Sequence, residues 1–299
     1  MRKILCLGEC SLNIILDDEG RTLGSMPGGR IANAAMLLAR EQLPVAMASE
    51  AANDVAGSIV TAALGQAGVD ISAIDRYSNG NTPVTLAAGM PARISHYRGY
   101  PADDEGFDIV WPRLDEGDVV MFGGYYALDP RAHANISNFL AYASERKALR
   151  LYLPGFLTVQ EPRITRVMPQ LLENLENADI VLTRSRDLPM LFGTDSAAEC
   201  YTGKVNFYCR SLVNIDAPCR RIEYFAGTES TVAELPEAAQ PAALLWNAGA
   251  AAGLAAALLV DGMPATDTVS DDFRRRLLAA AVRSAMSATN GLAPWQLIE

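Results

Sequence analysis

Pro27-Gly28-Gly29-Arg30-Ile31-Ala32-Asn33-Ala34-Ala35 is the stretch on which the reading of the fold turns. Two glycines run straight into Ile31–Arg40, an Ala/Leu-rich segment at helical spacing. A Gly-Gly pair before a helix lets the backbone approach a ligand closely, because no Cβ intrudes. Asn33 is a polar residue one turn into an apolar helix, and its amide offers both donors and an acceptor for hydroxyl groups. The same residues also suit a tight turn with a helix-start Asn that satisfies backbone groups.

Outward from this stretch, strands and helices alternate. Residues 3–8 read as a buried opening strand ending at Gly8, and Val45–Ser49 as a second strand. Val55–Ala67 is helical, with Gly68 where a C-terminal cap belongs. Thr82–Ala88 and Arg93–Tyr97 are β-like and interrupt the alternation as a flap joined across Gly89–Ala92. Asp118–Phe122 is a strand closed by Gly123-Gly124, Pro130–Lys147 a helix and Leu149–Leu153 a strand. Ile164–Asn177 is helical, Asp179–Leu182 a strand, and Asp187–Phe192 a short helix before Gly193. Residues 200–236 read as short β segments, Pro241–Val260 as one long helix and Asp271–Thr289 as the last. Strands spaced by helices of this length predict an α/β fold with a mostly parallel central sheet flanked by helices. No linker or internal repeat divides the chain, so residues 1–299 are expected to form one domain, with lid segments at about 11–27 and 82–112.

The 299 residues are 50% hydrophobic and 20% charged, an ordinary globular composition. A net charge of −10 argues against nucleic acid, whose binding needs a basic face. The longest apolar stretch, Ala242–Val260, is small-residue-rich and interrupted by Trp246 and Asn247, so no membrane span is expected. Only four apolar residues, Ile4–Leu7, lie between Met1-Arg2-Lys3 and Gly8-Glu9, which predicts no signal peptide. Five cysteines at unrelated spacings fit reduced thiols in a cytoplasm, and Cys6 and Cys10 read as small buried hydrophobes. Two histidines and no C-x₂-C pair give no metal-site signature, and no metal is expected. Arg274-Arg275-Arg276 reads as a solvated helix surface.

The run from Pro27 to Ala35 resembles the first signature of the ribokinase/PfkB family of carbohydrate kinases, G-G-x-x-x-N-x-A. Weaker landmarks follow in order: Gly8-Glu9 after strand one, Asn53-Asp54-Val55-Ala56-Gly57, Gly68-Val69-Asp70, Tyr97-Arg98-Gly99-Tyr100-Pro101-Ala102-Asp103, and Trp246-Asn247-Ala248-Gly249. The resemblance implies a ribokinase-like fold with a small β lid, lids that pair in a homodimer, and a sugar bound by Gly28, Gly29 and Asn33. Asn13 stands where the family has an Asp that grips substrate hydroxyls; an amide keeps one acceptor but loses the charge. His96 and Arg98 alternate on one face of the flap strand, with Tyr97 on the other, so both become candidate lid contacts. The Arg98 fork suits a ligand carboxylate or phosphate, which adds sugar acids to the expected ligands.

The catalytic half departs from the family. Its G-A-G-D motif supplies an anion cradle and the base, and alignment from Trp246-Asn247 places Pro241-Ala242-Ala243-Leu244 there. Pro241 has no N–H, Ala242 and Ala243 lack glycine's freedom, and Leu244 accepts no proton. Ala242, Ala243 and Asn247 are what remains of a nucleotide side; a slipped alignment puts Asn247 or Glu237 near the base position. The family's N-x-x-E, which arranges metal-bound water, matches Arg184-Ser185-Arg186-Asp187, and its D-P-N matches Leu153-Pro154-Gly155. A lost base costs about 10²–10⁴ in rate, and a lost oxyanion-type donor about 10²–10³. The first expectation is therefore a sugar- or polyol-binding homologue with phosphoryl transfer lost or strongly impaired. The alternatives are an active kinase using Mg and ATP, with Asp187 or Glu237 as substitute base, and a non-catalytic assembly subunit.

Overall fold

The computed structural model describes residues 2–89, 93–101, 109–236, 246–264 and 269–289. Two sheets organise them. The larger has nine strands: β1 (Ile4–Leu7), β4 (Val45–Ala52), β5 (Asp70–Tyr77), β8 (Val119–Gly123), β9 (Leu149–Leu153), β10 (Ile180–Arg184), β11 (Ser211–Asp216), β12 (Arg221–Ala226) and β13 (Glu229–Glu234). Their order is β13-β12-β11-β10-β9-β8-β1-β4-β5, parallel except for the antiparallel β11–β12–β13 edge. The smaller sheet contains β2 (Ser11–Leu16), β3 (Thr22–Gly28), β6 (Asn81–Ala88) and β7 (Arg93–Gly99), ordered β3-β2-β6-β7. Strands β2 and β3 overlap the first segment expected as a lid, about 11–27, and β6 and β7 overlap the second, about 82–112, of which residues 90–92 and 102–108 lie outside the described residues.

Among the described residues, eight α-helices accompany the sheets: α1 (Arg30–Arg40), α2 (Val55–Gln66), α3 (Pro130–Glu145), α4 (Met168–Glu176), α5 (Leu188–Phe192), α6 (Ala197–Gly203), α7 (Trp246–Asp261) and α8 (Asp271–Thr289). Side-chain alternation along β1 shows how they are laid out. Ile4 and Cys6 join the apolar cluster of α1, α7 and α8, while Leu5 and Leu7 join that of α3 and α4. A strand buried on both faces needs apolar residues at every position, and all four β1 side chains are buried. No helix among the described residues is long and apolar enough to cross a membrane.

The alternating pattern holds, with local departures. Pro169 has no N–H and sits in the first turn of α4, so the expected helix from Ile164 breaks into a 3₁₀ turn at Ile164–Arg166 and α4 proper. Strand β5 has no counterpart in the sequence reading, and residues 200–236, expected as short β segments, begin instead with the end of α6 and a 3₁₀ turn at Val205–Phe207 before β11, β12 and β13. The expected Pro241–Val260 helix is described from Trp246 onward. The Arg274-Arg275-Arg276 reading needs correction at its first member. Arg275 and Arg276 are exposed, but consecutive helix residues step about 100° around the axis, and that places Arg274 against β13. There its Nε donates to Thr231 Oγ1 at 2.8 Å and its Nη1 to the Val269 carbonyl at 2.8 Å. Cys6 and Cys10 are fully buried, and burial pushes the Cys10 thiol up to about 12.

Candidate functional site

The chain leaves β1 toward β4 and β5 on one side and later returns through β8, β9 and β10 on the other. In open α/β sheets, ligands bind outside the carboxyl ends of the strands at such a reversal. A cavity of about 610 Å³, solvent mouth included, lies there. Four parallel strands feed it from their carboxyl ends. Glu9 follows β1, Gly123-Gly124-Tyr125 close β8, Gly155-Phe156 follow β9, and Arg184 and Arg186 come from the end of β10. The smaller sheet adds Ser11 and Asn13 from β2 and Thr85 from β6, and Gln160 completes the polar wall.

The Gly28-Gly29 pair shapes this wall. Gly29 has φ +93, and a Cβ there would lie 2.7 Å from the Glu9 carbonyl. A Cβ on Gly28 would strike Asn13 Oδ1 and Ser11 Oγ. Asn13 therefore lines the cavity directly, Gly29 lines it as bare backbone, and Gly28 leaves room for two of its polar groups. Asn33 is buried in the first turn of α1 and lies outside the cavity wall. Asn247 is buried at the start of α7. Glu237, Ala242, Ala243 and Leu244 lie outside the described residues.

His96 and Arg98 reach the site through Glu9. They share a strand face, as the alternation predicts, while Tyr97 on the other face is exposed. Arg98 Nε donates to Glu9 Oε1 at 3.2 Å, and its Nη2 donates to Asp129 Oδ2 at 2.8 Å. The guanidinium also lies over the Tyr125 and Tyr100 rings at 4.4 and 4.7 Å. Arg98 thus spends its charge on protein carboxylates and ties β7 to the residues that follow β1 and β8. Asp129 caps α3 and lies 3.8 Å from Arg131, which grips Glu50 with two nitrogens at 2.6 and 2.9 Å.

His96 Nδ1 and Thr85 Oγ1 are hydrogen-bonded at 2.8 Å. His96 Nε2 is buried 3.7 Å from Glu9 Oε2 and has no hydrogen-bond partner among the described residues. It is aimed at a carboxylate that lines the cavity. Burial holds the imidazole below the usual histidine range; Glu9 pulls it up and Arg98 pushes it down. The folded protein therefore keeps His96 neutral where the unfolded chain takes up a proton, near pH 6.5. This contribution to stability is complete above that pH and is lost as pH falls below it. The melting temperature should drop from pH 7.5 to 5.5, and His96→Gln should flatten part of that decline. An unchanged slope in the variant would remove His96 as its source.

Asp187 does not offer a free carboxylate. Arg184 donates to both its oxygens, at 2.5 and 2.9 Å, and Arg30 lies 3.7 Å away. A divalent cation placed there would face guanidiniums, so these residues do not fit a metal ion, and the described residues hold no group of three His, Cys, Asp or Glu suited to one. Glu9, Ser11, Thr85, Gln160, Arg30 and Arg186 were not among the candidates from sequence. Glu9 had a legible signal, a carboxylate directly after the carboxyl end of an all-apolar strand. The others become neighbours only through tertiary folding.

A model of the pfkB family carbohydrate kinases matches residues 1–202. Among solved structures, the chain is similar to a fructokinase with bound ATP from Xylella fastidiosa, with a TM-score of 0.76 and 17% identity over 96% of this chain and 91% of that one. It is similar to an aminoimidazole riboside kinase from Salmonella enterica complexed with aminoimidazole riboside and an ATP analog, with a TM-score of 0.78 and 13% identity over 100% and 97%. It is also similar to a fructokinase from Vibrio cholerae O395 in apo form, with a TM-score of 0.76 and 18% identity over 97% and 99%. At these identities the likeness establishes the fold. A search of curated proteins gave no match.

Proposed function

The chain belongs to the pfkB family of carbohydrate kinases, and from that premise we propose that it binds a monosaccharide or related polyol and transfers phosphoryl groups weakly or not at all. The observation that carries the binding half is convergence. Glu9, Ser11, Asn13, Thr85 and Gln160 bring carboxylate, hydroxyl and amide groups to one cavity at the sheet's reversal point, beside bare backbone at Gly29. Such groups suit the alternating donors and acceptors of a sugar. The catalytic half rests on residue chemistry. Leu244 takes no proton, Ala242 and Ala243 do not replace a glycine cradle, and Arg184 with Asp187 forms a closed ion pair. A homodimer pairing through the lid sheet belongs to the same proposal. The outer strands of that sheet, β3 and β7, carry exposed Leu23 and Tyr97.

Thermal shift of the purified chain tests it, with sugars alone, Mg·ATP alone and both together. A ligand at 100 times its dissociation constant stabilises by about 2.7 kcal/mol, a readily visible shift. We expect a shift with one or more sugars, none with Mg·ATP, and turnover at least about 10⁴-fold below an ordinary kinase. A clear Mg·ATP shift together with ordinary turnover would establish the working kinase instead. No shift with any sugar would leave the assembly subunit.

A further inference from the structure

His96 stands behind two groups that line the cavity and touches both. Asn13, Thr85 and His96 form one row across the smaller sheet: Asn13 is opposite Thr85 between β2 and β6, and Thr85 is opposite His96 between β6 and β7. Asn13, Thr85 and Glu9 line the cavity. The His96 side chain is only 2% exposed. Its ring bridges Thr85 Oγ1, 2.8 Å from Nδ1, and Glu9 Oε2, 3.7 Å from Nε2. Glu9 Oε1 accepts from Arg98 Nε and from the Tyr100 hydroxyl, while Oε2 accepts from Gln160 Nε2 at 3.2 Å.

A neutral imidazole carries one N–H, and the hydrogen bond at one ring nitrogen settles the state of the other. With the proton on Nδ1, the ring donates to Thr85 and turns the Nε2 lone pair toward the Glu9 carboxylate, which is repulsive away from water. With the proton on Nε2, the N–H faces that carboxylate and Nδ1 accepts from the Thr85 hydroxyl. Electrostatics select the second form. The Thr85 proton is then spent on His96, and the lone pairs of Oγ1 remain for the cavity. We propose that His96 is a positioning residue that fixes Thr85 as a hydrogen-bond acceptor, so that Thr85 and Glu9 select a sugar offering hydroxyl donors to this wall. The proposal rests on the sugar-binding reading above and adds the sense in which this wall reads hydroxyls. Protonation of the ring reverses that sense: both nitrogens then donate, Nδ1 to Thr85 and Nε2 toward Glu9. Among the described residues, the charged groups that face the ring are Glu9, after β1, and Arg98, two residues further along β7. Tyr100 and Asp129 act on it through these two.

Two measurements on the full chain test this. The sequence holds two histidines, His96 and His133, so the nitrogen-15 imidazole spectrum of His133→Gln reports His96 alone. At pH 7.5 it should show Nε2 protonated and Nδ1 bare; a proton on Nδ1 overturns the proposal with no ligand present. Calorimetric titration with D-fructose, D-ribose and D-glucose reads the consequence. Affinity for a sugar that binds should fall about two- to tenfold from pH 7.5 to 5.0, the size of one neutral hydrogen bond. His96→Asn should keep most of the affinity at pH 7.5, because its amide oxygen takes the acceptor's place beside Thr85. It should also lose the pH dependence, because an amide does not titrate. Thr85→Val should bind about two- to tenfold more weakly at pH 7.5. Parent affinity that stays flat from pH 7.5 to 5.0, or a pH slope that survives in His96→Asn, overturns the positioning role and leaves the sugar reading standing. Failure of all three sugars to bind at either pH overturns the sugar reading and this proposal with it.

Discussion

Glu50→Ala should destabilise the protein by about 3–5 kcal/mol, the usual cost of leaving a buried charge without its partner. Glu50 is fully buried near the end of β4. Its Oε1 accepts from Arg131 Nη1 at 2.9 Å, and its Oε2 accepts from Arg131 Nη2 at 2.6 Å and from the Tyr126 hydroxyl at 2.7 Å. Truncation removes two hydrogen bonds from the Arg131 guanidinium and one from the Tyr126 hydroxyl. Arg131 also stacks on the Tyr100 ring at 4.3 Å, so it has little freedom to swing out to water. Urea unfolding of the two proteins measures the loss as a shift in midpoint at unchanged slope. Replacing both partners, Glu50→Leu with Arg131→Met, should recover most of it, because apolar packing often substitutes for a buried pair. A loss below about 1 kcal/mol in Glu50→Ala would place this pair among ordinary surface ion pairs. The consequence reaches the site, since the chain of charges runs from Glu50 through Arg131, Asp129 and Arg98 to Glu9. Strand β7 is held to the cavity by the same network that stabilises the main sheet.

What could be read in advance follows from the range of the forces involved. The opening strand, the Gly28-Gly29 turn and α1 are local features, written in period and in residue type, and they appear where expected. The flap was legible because alternation over Thr82–Ala88 and Arg93–Tyr97 is a property of contiguous residues. Asn13 was found through the resemblance, as the position where the family has an Asp. Glu9 was quoted only as a landmark, because a carboxylate becomes a site residue when Arg98, Gln160 and Asn13 arrive from elsewhere. Arg98 shows the same limit from the other direction. Its strand face was readable, but Asp129, which takes its charge, lies 31 residues away. Asn33 sat in the strongest motif of the chain; it is buried in the first turn of α1, one turn from the cavity-lining Gly29 and Arg30, and is not itself among the lining residues. Arg274 was misread because a triplet of like charges says nothing about which member the helix turns inward.

Gly28→Ala tests whether the glycine pair serves the cavity, and its expected effect on binding is about 10–100-fold. Gly28 ends β3 opposite Ser11 in the smaller sheet. An added Cβ meets Asn13 Oδ1, Asn13 Cγ and Ser11 Oγ, so one or both side chains must turn away. Both line the cavity. Each neutral hydrogen bond lost to a sugar hydroxyl is worth about 0.5–1.5 kcal/mol, and two of them correspond to about 5–150-fold, which brackets the expected effect. Overpacking adds a stability cost of about 1–3 kcal/mol, so binding is measured by titration well below the melting temperature. Gly203→Ala is the matched control, because nothing lies within 4 Å of the added methyl. In Asn13→Ala the obstructing amide is gone, so adding Gly28→Ala to it should cost much less than in the parent, a coupling that independent sites do not show. Undiminished sugar affinity in Gly28→Ala would mean that the Gly-Gly pair is only a turn and that Asn13 and Ser11 do not read the ligand. A selective loss of affinity, absent in Gly203→Ala and reduced in the Asn13→Ala background, would place the sugar against β2 and the start of α1.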